Sequence, residues 1–165
     1  MYACRIETPM GLMLAAAKDG KLTGLWFMTQ KHFPKEADQW EIKEDYPIFN
    51  EVRTWLNDYF EGKKVILNLP TDPQGTDFQK IVWKLLLEIP YGETTTYGDI
   101  AKKVALEMDR PTMSAQAVGG AIGRNPISIM IPCHRVIGAN RGLTGYDGGL
   151  DKKEALLRLE SDGTL

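Results

Sequence analysis

The stretch Thr76-Asp77-Phe78-Gln79-Lys80-Ile81-Val82-Trp83-Lys84-Leu85-Leu86-Leu87-Glu88-Ile89-Pro90 reads as a helix with both ends marked. Phe78, Ile81, Val82, Leu85, Leu86 and Ile89 recur at helical spacing along one face. Thr76, followed three residues later by Gln79, has the form of a capping box, in which each side chain satisfies an amide left open at the helix start. Pro90 lacks the amide hydrogen another turn would need, and ends the helix. Downstream, Thr96 can cap a second short helix from Tyr97 to about Ala105, and Pro111 can open a third running to about Gly123. Three short helices in so brief a span, the last rich in Ala and Gly, predict a helix-turn-helix arrangement.

Outward from this core the pattern changes. Toward the N-terminus, β-compatible residues run from 3 to 28, punctuated by turn signals at Met10-Gly11 and Asp19-Gly20, which predicts a small antiparallel sheet. The polar stretch Lys31 to Asp45 carries no clear period. Apolar residues at 48, 49, 52, 55, 56, 59 and 60 have helical spacing closed by Gly62. Asn68 to Gly75, with Pro70 and Pro73, has the composition of a linker and divides the chain into 1–75 and 76–165. Toward the C-terminus, 127–131 reads as a short strand, 137–144 has hairpin character, and Asp151 to about Glu160 forms a last helix closed by Gly163. The fold class expected is α+β: a small N-terminal antiparallel sheet with a helix, then a mainly helical C-terminal domain.

Composition sets limits on function. With 165 residues, 43% hydrophobic and 25% charged, the chain suits a globular protein with a real core. No apolar run is long enough to span a bilayer, and the first residues lack the pattern of a secretory signal, so the expectation is a cytoplasmic protein with no membrane partner. A net charge of −2 argues against indiscriminate polyanion binding. Its distribution is less even: Lys102, Lys103, Arg110, Arg124, Arg135 and Arg141 are offset only by Glu107 and Asp109 between 102 and 141. Such a patch serves phosphate neutralisation, or is simply a solvated surface.

Ile131-Pro132-Cys133-His134-Arg135-Val136 then sets a thiol beside an imidazole in a proline-stiffened stretch. A thiol is strongly nucleophilic as its thiolate, and a neighbouring imidazole or cation is what draws a cysteine pKa toward neutrality. A buried, inert cysteine is the plain alternative. Only Cys4 and His32 are available in the first 75 residues as further soft ligands, too few for a structural zinc, so no metal is expected.

This segment, with Ala117-Val118-Gly119-Gly120-Ala121-Ile122-Gly123-Arg124-Asn125-Pro126 before it and Gly145-Tyr146-Asp147-Gly148-Gly149 after it, resembles the active-site region of the O6-alkylguanine-DNA alkyltransferases. Gly75-Thr76-Asp77-Phe78-Gln79, Val82-Trp83, Ile89-Pro90-Tyr91-Gly92-Glu93-Thr94-Thr95-Thr96-Tyr97-Gly98 and Asp58-Tyr59-Phe60-Glu61-Gly62 are also similar to that family. The same order and spacing across so long a span makes the motif specific. The resemblance implies a ribonuclease H-like N-terminal domain and a winged helix-turn-helix-like C-terminal one.

It further implies direct-reversal DNA repair by a single-turnover methylated-DNA–protein-cysteine methyltransferase. An alkyl group, chiefly methyl, passes from O6-alkylguanine in double-stranded DNA to Cys133, with O4-alkylthymine left open as a second substrate. The thioether formed resists water, so each molecule acts once, as a monomer and without a cofactor. In this pattern His134 removes the thiol proton through a water, Glu160 orients the imidazole, and Asn125 braces the turn before the nucleophile. Tyr97 donates to the departing base. Tyr146 walls the flipped base, and the backbone around Val136 and Asp147 meets its edges. Ala117, Gly119 and their small neighbours approach the minor groove, with Arg124 and Arg135 close by.

The chain departs from the pattern at Gln116, where many relatives have arginine, which implies weaker DNA binding. It departs again at Asp147, where a small neutral residue is commoner and a carboxylate near the pocket would cost affinity for a polyanion. A lesion sensor without chemistry would carry tryptophan in place of Cys133, and a cysteine hydrolase would draw its histidine from a distant segment. Both are alternatives that Cys133-His134 speaks against.

Overall fold

The computed structural model describes residues 1–139 and 145–165. Arg141 and most of the expected 137–144 hairpin fall outside them. Three strands, β1 (Tyr2–Thr8), β2 (Gly11–Lys18) and β3 (Lys21–Phe27), form an antiparallel meander. The β2–β3 turn uses Asp19 and Gly20, both at positive φ, the geometry that matches strand twist. A fourth strand, β4 (Glu41–Ile42), joins β1 in parallel, so the sheet is mixed, in the order β3-β2-β1-β4. The antiparallel expectation missed β4 because two exposed residues in a polar stretch carry no alternation.

Helix α1 (Pro47–Phe60) starts with proline at its first position, where no amide bond is lost, and lays Phe49, Val52 and Leu56 into the core shared with the sheet. On β3, Gly24 leaves room for the Trp26 ring to fold across the strand; a Cβ there would lie 1.8 Å from Cη2.

The C-terminal part holds α2 (Asp77–Leu86), α3 (Tyr97–Glu107), α4 (Ala115–Gly123) and α5 (Leu150–Asp162). Both halves of the Thr76–Gln79 capping box are present. Thr96 caps α3 by accepting from the Asp99 amide. The start of α4 differs from expectation: Ser114, not Pro111, opens it, accepting from the Ala117 amide. A hydroxyl that satisfies an open amide outcompetes a proline that only presets φ. Helices α2, α3 and α4 pack mutually, and the buried Trp83 donates its indole N–H to the Ala121 carbonyl at 2.8 Å.

Residues 127–131 are not a strand. Ile127 makes a single bridge to Leu25, and the chain then turns, with Ile129 at φ 69°. A β-branched residue there is strained by roughly 1–3 kcal/mol, so the surroundings must impose it. Strands β5 (Thr95–Thr96) and β6 (Val136–Ile137) pair in parallel.

The outer edge of β3 ties the two parts together. The Leu22 amide donates to Pro70 and its carbonyl accepts from Asp72, while Leu25 does the same with Pro126 and Ser128. Residues 70–72 therefore lie against the sheet as a paired segment, and so does the approach to the nucleophile.

Candidate active site

Asn125 builds the turn that presents Cys133. Its amide donates to the Ile131 carbonyl at 2.8 Å and to Ile127 at 3.3 Å, and its oxygen accepts from the Ile127 amide at 3.0 Å. These bonds replace the ladder a strand would have made. Pro132, at φ −81° and ψ 63° under the Cys133 N–H to Ile131 carbonyl bond, is the centre of an inverse γ-turn. Cys133 to Arg135 then form one 3-10 turn, from which the cysteine meets a cleft while His134 and Arg135 both reach Glu160.

His134 is fully buried, and its Nε2 lies 2.5 Å from Glu160 Oε2. Glu160 also accepts from Tyr59 Oη at 2.6 Å, Arg135 Nε at 2.7 Å and the Gly92 amide at 3.3 Å. Burial alone would push this carboxyl up, but the hydrogen bonds of His134 and Arg135, with the Arg135 charge and the charge His134 gains in acid, outweigh it and hold it at about 2. Burial keeps the His134 imidazole below its ordinary pKa against the pull of Glu160. A neutral ring facing a carboxylate must carry its hydrogen on Nε2. Its Nδ1 then holds a bare lone pair, buried and without a partner among the described residues.

Burial pushes the Cys133 thiol up to about 11, against hydrogen bonding from Asn125 and the charge of Lys153. The resting sulfur is therefore a thiol, since desolvation outweighs the cation. Lys153, fully buried on α5, donates to the Val136 carbonyl at 2.6 Å and to Gly145 at 3.2 Å, and burial lowers it to about 8.

Cys133 opens onto a cleft of about 470 Å³ bounded by Tyr97, Gln116, Gly119 and Tyr146. The Tyr97 hydroxyl reaches the Gly145 carbonyl at 3.4 Å, at the mouth. Tyr146 presents a buried hydroxyl that has no partner among the described residues. A slightly larger groove beside α1, lined by Trp55, Lys64, Val65, Ile66, Asn68 and Leu69, holds no comparable nucleophile. The exposed face of α4 carries Ala115, Gln116, Ala117 and Gly120, while Val118, Ala121 and Ile122 turn inward. Nothing lies within 4 Å of a Cβ built on Gly120 or Gly123, so interior packing does not account for those glycines.

Several expected positions are corrected. Arg135 is not part of a surface patch: it is 7% exposed, paired with Glu160 and bonded to the Ile89 carbonyl. Lys102, Lys103, Arg110 and Arg124 remain exposed. The Val136 carbonyl is engaged by Lys153. The Asp147 carboxylate does not face the cleft unpaired; Gln30 and His32 take up both its oxygens. Cys4 sits apart, with Arg53 donating to its sulfur.

Tyr59, Lys153 and Gln30 went unread as functional candidates. Tyr59 was one apolar position on a helix face. A lysine one turn into the last helix was the available signal for Lys153, but lysines there are normally solvated.

A buried carboxylate–imidazole pair in the residue next to a cysteine, at the floor of a cleft under a small-residue helix, has the makings of a nucleophilic cysteine transfer protein that meets a large, closely approaching substrate. Comparison with known proteins agrees. Residues 1–73 match the model of the 6-O-methylguanine DNA methyltransferase ribonuclease-like domain, and residues 77–162 that of the 6-O-methylguanine DNA methyltransferase DNA binding domain. The methylated-DNA–protein-cysteine methyltransferase of Methanosarcina mazei is 46% identical, over 98% of both chains. That of Haemophilus influenzae is 40% identical, over 97% of this chain and 86% of its own. A crystal structure of Mycobacterium tuberculosis OGT in complex with DNA superposes with a TM-score of 0.85 at 41% identity, covering 99% of this chain and 95% of that one. The chain belongs to the 6-O-methylguanine DNA methyltransferase family. No described helix is long and apolar enough to cross a membrane.

Proposed function

We propose that this protein repairs O6-alkylguanine in double-stranded DNA by moving the alkyl group onto Cys133, once per molecule. The observation that carries the reading is the bare Nδ1 of a buried, neutral His134, fixed by Glu160 on its other nitrogen, in the residue next to the cysteine.

The O6 atom lies within a stacked pair, so the nucleotide must be extruded into the cleft, where Tyr146 forms a wall. His134 Nδ1 takes the thiol proton through a water, converting the buried thiol to a thiolate as the substrate arrives. The S–C bond forms while the C–O6 bond breaks, and its electrons stay with guanine. Tyr97 donates to the base as that charge develops. Over the whole reaction the proton lost by sulfur ends on guanine, so atoms and charge balance, and the lesion itself supplies the group transferred. The thioether has no second nucleophile to release it.

The exposed small residues of α4, with Arg124 beside them, support close approach to a groove with little sequence information. Gln116 would fill the space left by the extruded base. The protein acts as a monomer, and its two free cysteines suit the reducing cytoplasm.

Incubation with a duplex containing O6-methylguanine, followed by intact mass measurement, tests this. One methyl group on Cys133, capped at one equivalent and absent in Cys133→Ser, is expected. A bare sulfur beside persisting lesion would overturn it.

A further inference from the structure

Three consecutive residues of the loop after β3 converge on one residue of the cleft. Gln30 Nε2 donates to Asp147 Oδ2 at 2.9 Å, the His32 amide to the same oxygen at 2.8 Å, and His32 Nδ1 lies 2.5 Å from Oδ1. Between them the Lys31 amide donates to the Asp147 main-chain carbonyl at 3.1 Å. Gln30 is itself anchored: 5% exposed, its Oε1 accepts from the Phe27 amide and from Ser128 Oγ. The loop is thus locked to the end of β3 and to the segment that leads to Cys133.

Asp147 sits in a stretch that has little rigidity of its own. Gly145 and Gly149 adopt positive φ, and glycine loses more chain entropy on ordering than any other residue. Gly148 is pressed so closely between rings that a Cβ would lie 2.9 Å from Tyr146 and 3.1 Å from Phe27. Tyr146, the cleft wall, is therefore followed by two residues, Asp147 and Gly148, held against the N-terminal domain.

We propose that the Gln30–His32 loop is a clamp for the guanine-holding loop, with His32 a positioning residue for alkyl transfer that acts through Asp147. This rests on the alkyl-transfer reading of the cleft. The clamp engages the carboxylate on both oxygens and so fixes where its charge sits beside the cleft. Lys31 and His32 also line the cleft, so the N-terminal domain forms part of the site.

The test measures the second-order rate of methyl transfer from an O6-methylguanine duplex for wild type, His32→Ala, Asp147→Ala and the double variant. Cys133 alkylation by iodoacetamide is followed in parallel. Misplacing the wall by a fraction of an ångström should slow transfer about tenfold in each single variant. The double variant should be no slower than the worse single one, since both remove the same contact. In His32→Ala, which keeps the Asp147 charge that acts on the thiol, iodoacetamide should react at the wild-type rate. His32→Asn, whose amide nitrogen can stand where Nδ1 stands, should recover most of the rate. Wild-type transfer in His32→Ala, additive losses in the double variant, or an equal loss of iodoacetamide reactivity would overturn the clamp alone. A wild-type protein that takes up no methyl would overturn the reading of the site, and the clamp with it.

Discussion

The Tyr59 hydroxyl, on the helix that covers the N-terminal sheet, donates to Glu160 Oε2 at 2.6 Å, on the same oxygen that His134 Nε2 meets. The N-terminal domain thus supplies a member of the carboxylate–imidazole chain. Packing fixes the donor: Tyr59 is fully buried, stacked on Trp55 at a centroid distance of 5.4 Å and edge-on to Tyr91 at 6.2 Å. Tyr59→Phe keeps that packing and removes one bond to a buried charge. It should cost about 1.5–3 kcal/mol in denaturant unfolding. Transfer should slow by less than tenfold, since Arg135 and Gly92 still hold the other oxygen. Full loss of transfer in a folded variant would mean that the hydroxyl takes part in the chemistry.

The buried pair sets how stability depends on acidity. Glu160 is held at about 2 in the folded protein against about 4.3 in an unfolded chain, so its contribution is complete above 4.3 and is lost as pH falls toward 2. Roughly 2–3 kcal/mol is involved. His134 acts in the same direction at a higher pH: its folded pKa is depressed, so below about 6.5 the unfolded chain takes up a proton that the folded one refuses. Urea unfolding should therefore show stability falling from pH 6.5 downward, and more steeply below 4.3. Glu160→Gln should be less stable at pH 7 and should converge on wild type as pH approaches 2. Parallel curves for the two proteins would show that Glu160 does not titrate with folding.

How much of this was legible depends on the kind of signal. The capping box at Thr76, the Asp19-Gly20 turn and the apolar face of α1 are local, and each stands as read. The 127–131 turn was misread because four apolar residues look like a strand until the Asn125 amide is seen to take the backbone bonds a ladder would use. Arg135 was read as a surface cation because sequence does not reveal that Glu160, on a later helix, is buried beside it. The polar loop 30–32 has no period at all, and its meaning lies entirely in a partner more than a hundred residues away. Local chemistry names the nucleophile, whereas the groups that orient it come from long-range packing.

The glycines of α4 separate stability from binding. Gly120 is exposed in mid-helix, with open space where its Cβ would be. Gly120→Ala should stabilise the free protein by about 0.5–1 kcal/mol, because the unfolded chain loses freedom that a helix does not use. The added methyl projects from the face proposed to meet DNA, and overpacking there should weaken duplex binding about tenfold. Thermal unfolding and a fluorescence titration with unmodified duplex read the two effects on one variant. A gain in stability with unchanged affinity would move the DNA away from this face.

Gln116 gives the most direct electrical test of the same face. Its side chain is exposed at the rim of the cleft, on the first turn of α4, with no acidic residue in that turn. An arginine there would neutralise one further phosphate and release its counterion. Gln116→Arg should therefore tighten duplex binding at low salt and make the slope of log K against log salt steeper by about 0.9. A neutral wedge changes the intercept of that plot and not its slope, so Gln116→Leu serves as the control. If arginine leaves the slope as it was, residue 116 does not reach the phosphates, and the helix sits on the duplex in another orientation.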